Sequence, residues 1–318
     1  MSAVQKPLPN ARHQSSGRWQ LGLSLALLTC LFWATLPVAL KVSLEVLDPI
    51  TLTWFRFLTA AIFTFVLLAS RSQLGGFQGL GHVRWVMLGC AGVGLLGNYV
   101  LYLLGLKYTT PANAQLLIQS APLLLALGGI VWFKERISLL QMLGFAAIVL
   151  GLGVFYLDQQ NRAQALSYGY GAALIFIGAL SWAIYALLQK QLLTRLRSQQ
   201  VMLIMYVICT LLLSAFASPS QLLGNIDRVH AIALGYCALN TIGAYGAFAE
   251  AMEHWDASRV SAILAITPVL TLITVALLAP IFPQYVKAEQ LGYLGYIGAF
   301  LVVAGSIFAS LARRVPEA

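Results

Sequence analysis

The sequence predicts an all-α integral membrane protein of ten transmembrane helices, arranged as two inverted five-helix repeats. Three observations carry this expectation. The chain has 318 residues, 60% of them hydrophobic and 9% charged, well below the roughly 25% charge of soluble domains. Its apolar residues fall into runs close to the ~20 residues that a bilayer core asks of a helix. The segment from Gly22 to Lys41 then recurs from Gly171 to Lys190 without a gap. Gly22, Trp33 and Lys41 return as Gly171, Trp182 and Lys190, at one offset of 149.

The spans are expected at residues 20–41, 50–70, 84–106, 111–133, 138–157, 168–191, 200–217, 229–252, 257–279 and 290–311. Residues 1–19 form a polar, mildly basic tail. The apolar run behind it exceeds the ~7–15 residues of a signal-peptide core, and no A-x-A cleavage site follows, so it reads as a retained first span. The fourth span opens with Thr110 as a cap and Pro111 in its first turn. The seventh has the shortest apolar stretch. The first half occupies 20–157 and the second 168–311, with a short tail at 312–318. So little chain separates the spans that no soluble domain fits between them.

The duplication extends beyond the first span. Gly97 and Tyr99 match Gly243 and Tyr245 at an offset of 146, which also takes Pro122 to Pro268. Gly144 and Gly151 match Gly298 and Gly305 at 154, so an eight-residue insertion is expected between Ala279 and Lys287. Spans two and seven match poorly. An odd number of spans per copy makes the copies point in opposite directions, an arrangement associated with secondary transporters. With the N-terminus inside, 13 Lys and Arg fall on the cytoplasmic side and 5 on the other, with Arg56 left inside the second span. Both termini are therefore expected in the cytoplasm, with the chain in the inner (plasma) membrane.

With Trp33 and Trp182 paired and Arg56 early in span two, the segment from Gly97 to Gly151 completes a recognisable pattern. It reads GNYVLYLLGLKYTTPANAQLLIQSAPLLLALGGIVWFKERISLLQMLGFAAIVLGLG. This resembles the EamA branch of the drug/metabolite transporter superfamily over nearly the whole chain outside its tails. The resemblance implies ten helices in two inverted halves around a central cavity, and movement of small metabolites, often amino acids or related compounds and often outward. Two places depart from the pattern. The second half has PIFPQYVKAEQ where the first has FKERISLLQ, so that only Glu289 echoes Glu135. Arg56 also has no counterpart, Tyr206 falling near its place.

Candidate lining residues follow from placement. Trp33 and Trp182 sit about 10 Å or more from either end of their helices, too deep for interfacial anchors, whereas Trp19, Trp85 and Tyr168 fit anchors. Asn98, Tyr99 and Tyr102 in span three, Tyr185 in span six, and Asn240 and Tyr245 in span eight offer aromatic and amide groups suited to a polar substrate or to interhelical bonds. Gln115, Gln119 and Pro122 share one helical face. Pro37, Pro122 and Pro268 are expected to kink their helices. Lys41, Arg56, Lys107, Lys190 and Glu250 are the charges closest to hydrocarbon. Most can snorkel to an interface, but Arg56 is harder to dismiss. Glu250 reads as the one acidic residue within a helix, able to relay protons or to pair with Arg259. Gly144, Gly151, Gly298 and Gly305 would allow close packing at a moving or oligomeric interface, which leaves room for a homodimer.

The leading expectation is a carrier of a small-molecule substrate in the lipid bilayer, working by alternating access. No Walker A signature is present, and neither a cofactor nor a metal site is expected. The net charge of +9 does not cluster, which argues against nucleic acid. The alternative is a membrane-embedded enzyme acting on a lipid-linked substrate. That needs clustered His, Asp, Glu or Cys. Here His13, His82, His230 and His254 are scattered at loops and ends, and Cys30, Cys90, Cys209 and Cys237 read as small buried hydrophobes.

Overall fold

The structure, a computed structural model, describes residues 18–75, 77, 80–133, 138–162, 165–193, 195–224, 226–254, 260 and 263–311. Glu135, Arg136, Arg259 and the side chain of Lys190 lie outside the described residues. Among those described, every regular element is helical. The helices are α1 (Trp19–Ser43), α2 (Pro49–Ser70), α3 (His82–Tyr108), α4 (Pro111–Leu117), α5 (Ser120–Phe133), α6 (Leu139–Arg162) and α7 (Ala165–Leu192), then α8 (Ser198–Ser214), a 3-10 turn (Pro219–Leu223), α9 (Arg228–His254), α10 (Thr267–Leu278) and α11 (Tyr293–Leu311). Six of them, α1, α2, α3, α6, α7 and α9, are long and apolar enough to cross a bilayer, while α8, α10 and α11 are shorter apolar helices. Their outward faces carry side chains that water would not tolerate in such number. Leu31, Val66, Val131, Trp132, Leu211 and Phe300 are each more than half exposed. Such a coat suits lipid, in which the backbone must satisfy itself within helices.

Local chemistry sets several helix ends. Asp48 accepts hydrogen bonds from the amides of Ile50 (2.8 Å) and Thr51 (3.1 Å) and so caps α2, with Pro49 at its first position. Thr110 caps α4 in the same way through the amide of Asn113, 3.3 Å away. The fourth span does not kink at Pro122; it breaks. Proline has no N–H to offer the Ile118 carbonyl four residues back. That carbonyl accepts instead from the amide of Ala121 at 2.9 Å, and the chain turns at Ile118–Gln119 between α4 and α5. Ahead of Pro268 the same event occurs. The chain turns at Ala265–Ile266, and the orphaned Leu264 carbonyl accepts from the Thr267 hydroxyl. Pro37 behaves differently, since α1 runs through it unbroken.

Four helix pairs make the most extensive contacts: α1 with α9, α2 with α8, α3 with α7, and α6 with α11. Each pair is antiparallel. Along α1 and α9, Ser43 meets Cys237 while Trp33 meets Tyr245 and Phe248. Along α2 and α8, the Thr51 hydroxyl accepts from the amide of Ser218, and the Trp54 indole donates to the Ser214 hydroxyl. Glycine sets the separation in the other two. A methyl group on Gly105 would lie 2.7 Å from the Gly171 carbonyl. One on Gly144 would lie 2.6 Å from the Gly305 carbonyl, and one on Gly151 2.7 Å from the Gly298 carbonyl. The small residues of α6 and α11 therefore face each other within the chain, and any dimer would have to use another face.

Four sequence expectations change. Helix α6 continues past 157 to Arg162 and carries Asp158 inside it, and α9 reaches His254 and includes Glu253, so Glu250 is not the one acidic residue within a helix. Helix α8 stops at Ser214 rather than 217. Tyr168 is buried against Tyr156, with ring centroids 5.6 Å apart, so it is no interfacial anchor, whereas Trp19 and Trp85 are exposed. Cys90 is exposed on α3, whereas the other three cysteines are buried.

Candidate functional site

The pairing of α1 with α9 and of α3 with α7 carries aromatic residues from both halves into one buried centre. Two amides help to hold it. Asn98 donates to the Gly178 carbonyl (3.0 Å) and Asn240 to the Phe32 carbonyl (2.6 Å). Both expected lining asparagines thus spend a donor on a neighbouring helix. Trp33 then packs edge-on to Tyr245 with centroids 5.8 Å apart, and against Phe248 at 5.6 Å. Tyr245 in turn packs against the buried cluster that holds Tyr99. Tyr99 stacks on Phe57 at 4.5 Å, and Phe57 on Tyr206 at 5.8 Å. A chain of packed side chains therefore joins α1, α9, α3, α2 and α8. Tyr185 and Trp182 of α7 pack into the same core, and the Tyr185 hydroxyl donates to the Met202 sulfur at 3.4 Å.

Arg56 lies against this chain. Its Nε donates to the Thr241 hydroxyl at 3.0 Å, and its guanidinium carbon sits 4.7 Å above the centre of the Tyr99 ring. It is 3% exposed. The other candidate charges behave differently. Lys41 is half-buried at its helix end, Lys107 is exposed, and Glu250 is exposed with an oxygen 3.4 Å from His254. Tyr102 donates to Gln115 at 3.5 Å, the far limit of a hydrogen bond. Gln119 falls in the α4–α5 break, its amide nitrogen buried and without a partner among the described residues. Pro268 is buried and Pro122 is exposed.

Sequence reasoning missed Phe57, Thr241, Phe248 and Met202 as members of this centre. Tyr206, noted only as the residue near the place of Arg56 in the second half, joins the same cluster through Phe57. The pairing of equivalent positions across the two halves was the available signal, because α2 packs against α8. A cleft of about 430 Å³ at the start of α3, lined by His82, Arg84, Met87 and Gln191 among others, holds none of the aromatic group.

A polar network ties the two halves at the end where α1 finishes. The Lys41 ammonium donates to the carbonyls of Leu106 (2.6 Å), Lys107 (3.1 Å) and Thr109 (2.8 Å), placing a cation on the C-terminus of α3. Glu289, from the second half, accepts from the Thr110 hydroxyl (2.7 Å) and the Ala112 amide (3.0 Å) at the start of α4. Asp158, from the first half, accepts from the Gly292 amide (2.9 Å) just before α11. The two carboxylates cap helix starts in each other's half. Burial pushes the Glu289 carboxyl above its ordinary range, offset in part by the Thr110 and Ala112 bonds and by Lys41. Nearby, His230 lies between Asp227 (2.9 Å) and Glu45 (3.3 Å), and the Tyr285 hydroxyl donates to Asp227 at 2.8 Å. The His230 amide and the Tyr285 hydroxyl hold the Asp227 carboxyl down at about 2.

A bundle of apolar helices with a lipid-suited coat and a buried aromatic centre defines a multi-pass membrane protein. The model of the EamA-like transporter family matches residues 20–157 and 169–311, and the chain belongs to that family. An uncharacterized transporter of Haemophilus influenzae is 34% identical over 93% of this chain and 96% of its own length. The uncharacterized inner membrane transporter YhbE of Escherichia coli is 35% identical over 93% and 92%. A probable amino-acid metabolite efflux pump of Salmonella typhimurium is 26% identical over 74% and 79%. One solved crystal structure shares the fold, with a TM-score of 0.61 at 20% identity, over 92% of this chain and 97% of that one.

Proposed function

We propose that this membrane transporter is a secondary carrier. Its ten spans form two inverted five-helix halves, both termini lie in the cytoplasm, and the halves rock to expose a central site to each side in turn. The carried solute is a small metabolite, an amino acid or related compound, and the direction is outward. The observation that carries the reading is the exchange of roles between the halves. Helix α1 pairs with α9 as α7 pairs with α3, while α2 with α8 and α6 with α11 pair as equivalents. The closeness of the Lys41 ammonium to the end of α3 indicates that α1 and α3 finish at the same end. Helix α7, antiparallel to α3, then opposes α1, the helix whose sequence it repeats. The broken spans at Pro122 and Pro268 supply the unwound backbone and half-helix ends that such carriers place at their site. Export rests on the name of the Salmonella relative and on the family. On this reading the Lys41, Asp158 and Glu289 network is the outer closure.

Purified protein reconstituted into liposomes should move an amino acid or related metabolite down its gradient without ATP. Absence of flux across a broad amino-acid and metabolite panel, together with turnover of a lipid-linked substrate in detergent, would replace the carrier with an enzyme.

A further inference from the structure

Arg56 carries a full charge and five N–H donors. Among the described residues it has one hydrogen-bond acceptor, Thr241, and one ring face, Tyr99. Thr241 donates its own hydrogen to the Cys237 carbonyl at 2.9 Å, so its oxygen turns a lone pair toward Nε. That contact orients the guanidinium from its inner edge. The two terminal nitrogens are left as a fork, the geometry that matches a carboxylate bidentately. No acid among the described residues stands near this fork. Asp48, Asp158, Asp227 and Glu289 bond at the end where α1 finishes, Glu45 lies there beside His230, and Glu250 lies beside His254. A cation withdrawn from water with one hydrogen bond is poorly compensated by its own protein. A charge inside a membrane bundle that finds no partner marks a site for a charged passenger.

We infer that Arg56 is the docking group for a carboxylate on the carried solute, an inference that rests on the carrier reading above. The rings complete the specification. Tyr99 presents its ring face to the guanidinium, Phe57 and Tyr206 continue from it, and Tyr245 packs against the same cluster with Trp33 beyond it; no acid is shown there to receive an ammonium. The solute class is a carboxylic acid with an apolar or aromatic body. A zwitterionic amino acid is held by its carboxylate, and its ammonium contributes little. Thr241 is a positioning residue, acting through Arg56.

The test compares three probes on the full chain in detergent or lipid nanodiscs: L-phenylalanine, 3-phenylpropionate, which lacks the ammonium, and L-phenylalaninamide, which lacks the carboxylate. Ligand-dependent thermal shift reads binding, and counterflow in liposomes reads transport. Both acids should stabilise the wild type and the amide should not. Arg56→Gln should weaken binding of the acids by about 30-fold or more, as expected when one partner of a buried charge pair is truncated. Arg56→Lys should retain part of it. If Arg56→Gln does not fold, Thr241→Val keeps the charge and removes its anchor, and the preference for acid over amide should fall. Equal binding of amide and acid, wild-type affinity in Arg56→Gln, or no response of the wild type to either acid would overturn the proposal. Acid binding without flux would leave the Arg56 site standing and remove the carrier.

Discussion

Replacing Gly151 with alanine tests whether α6 and α11 are held in register by close backbone approach. The added methyl would lie 2.7 Å from the Gly298 carbonyl oxygen, 2.7 Å from the Val302 amide nitrogen and 2.8 Å from Leu301 Cβ. Two of these are backbone atoms, so no side-chain rotation relieves the clash. Ordinary contact begins near 3.4 Å, and the helices must therefore part by several tenths of an ångström along their tightest seam. Overpacking of this kind costs about 1–3 kcal/mol. Gly153, on the same helix, has nothing within 4 Å of a built Cβ. Alanine there should be neutral or stabilise by up to about 1 kcal/mol through helix preference. The pair is read by reversible denaturation in mixed micelles, followed by tryptophan fluorescence. Gly298→Ala should match Gly151→Ala, and the double variant should cost less than the two single costs added, since the seam opens once. Equal midpoints for Gly151→Ala and Gly153→Ala would refute the account of how the halves meet.

Other expectations concern the centre and the closure. Trp33→Ala removes the ring that packs on Tyr245 and Phe248 and should slow transport while leaving folded protein; unchanged kinetics would take Trp33 out of the site. Asn98→Ala should cost about 0.6–1.7 kcal/mol of stability, as an interhelical hydrogen bond does in a membrane, because its amide holds Gly178; a purely kinetic effect would make it a lining residue instead. Pro122→Ala gives Ile118 a partner four residues on, so α4 and α5 should fuse and slow transport with little loss of fold, read as flux per folded molecule. The half-buried Glu289 carboxyl, raised above its ordinary value, contributes most to the latched end when protonated. The latch should tighten as pH falls toward the ordinary carboxylate value and loosen as pH rises through the raised one. Hydrogen exchange of residues 109–114 and 284–292, corrected for intrinsic rate, should follow that order, and Glu289→Gln should flatten it.

The helical class and the start of α4 were legible because their causes are local. Apolar runs of bilayer length, Pro111 behind Thr110, and proline without its N–H act within a few residues, and so did the recurrence of Gly, Trp, Tyr and Pro at steady offsets. Even so, whether Pro122 kinks or breaks its span depended on which donor reached the Ile118 carbonyl, and Ala121 did. The sequence pointed to Trp33, Tyr99 and Tyr245 as separate aromatics on three spans. It could not bring them into one packed core, and it left Phe57, Tyr206 and Thr241 aside. For Asn98 and Asn240 the sequence reads the same whether an amide meets a solute or the next helix, and only the structure shows each donating to a neighbouring helix's carbonyl.

What the sequence determined by itself is that the chain lives in lipid, is duplicated, and carries a proline at equivalent places in two spans. Burying backbone polar groups in hydrocarbon forces helices wherever apolar runs are long enough. What only the tertiary structure decided is partnership. Glu289 meets the start of α4, Asp158 meets the start of α11, and Arg56 meets Thr241 and Tyr99, each across more than 40 positions of chain. Those meetings depend on the rotation and height of one helix against another. These are set by glycine seams such as Gly151 with Gly298, where backbones touch and no periodicity along a single helix can specify the register.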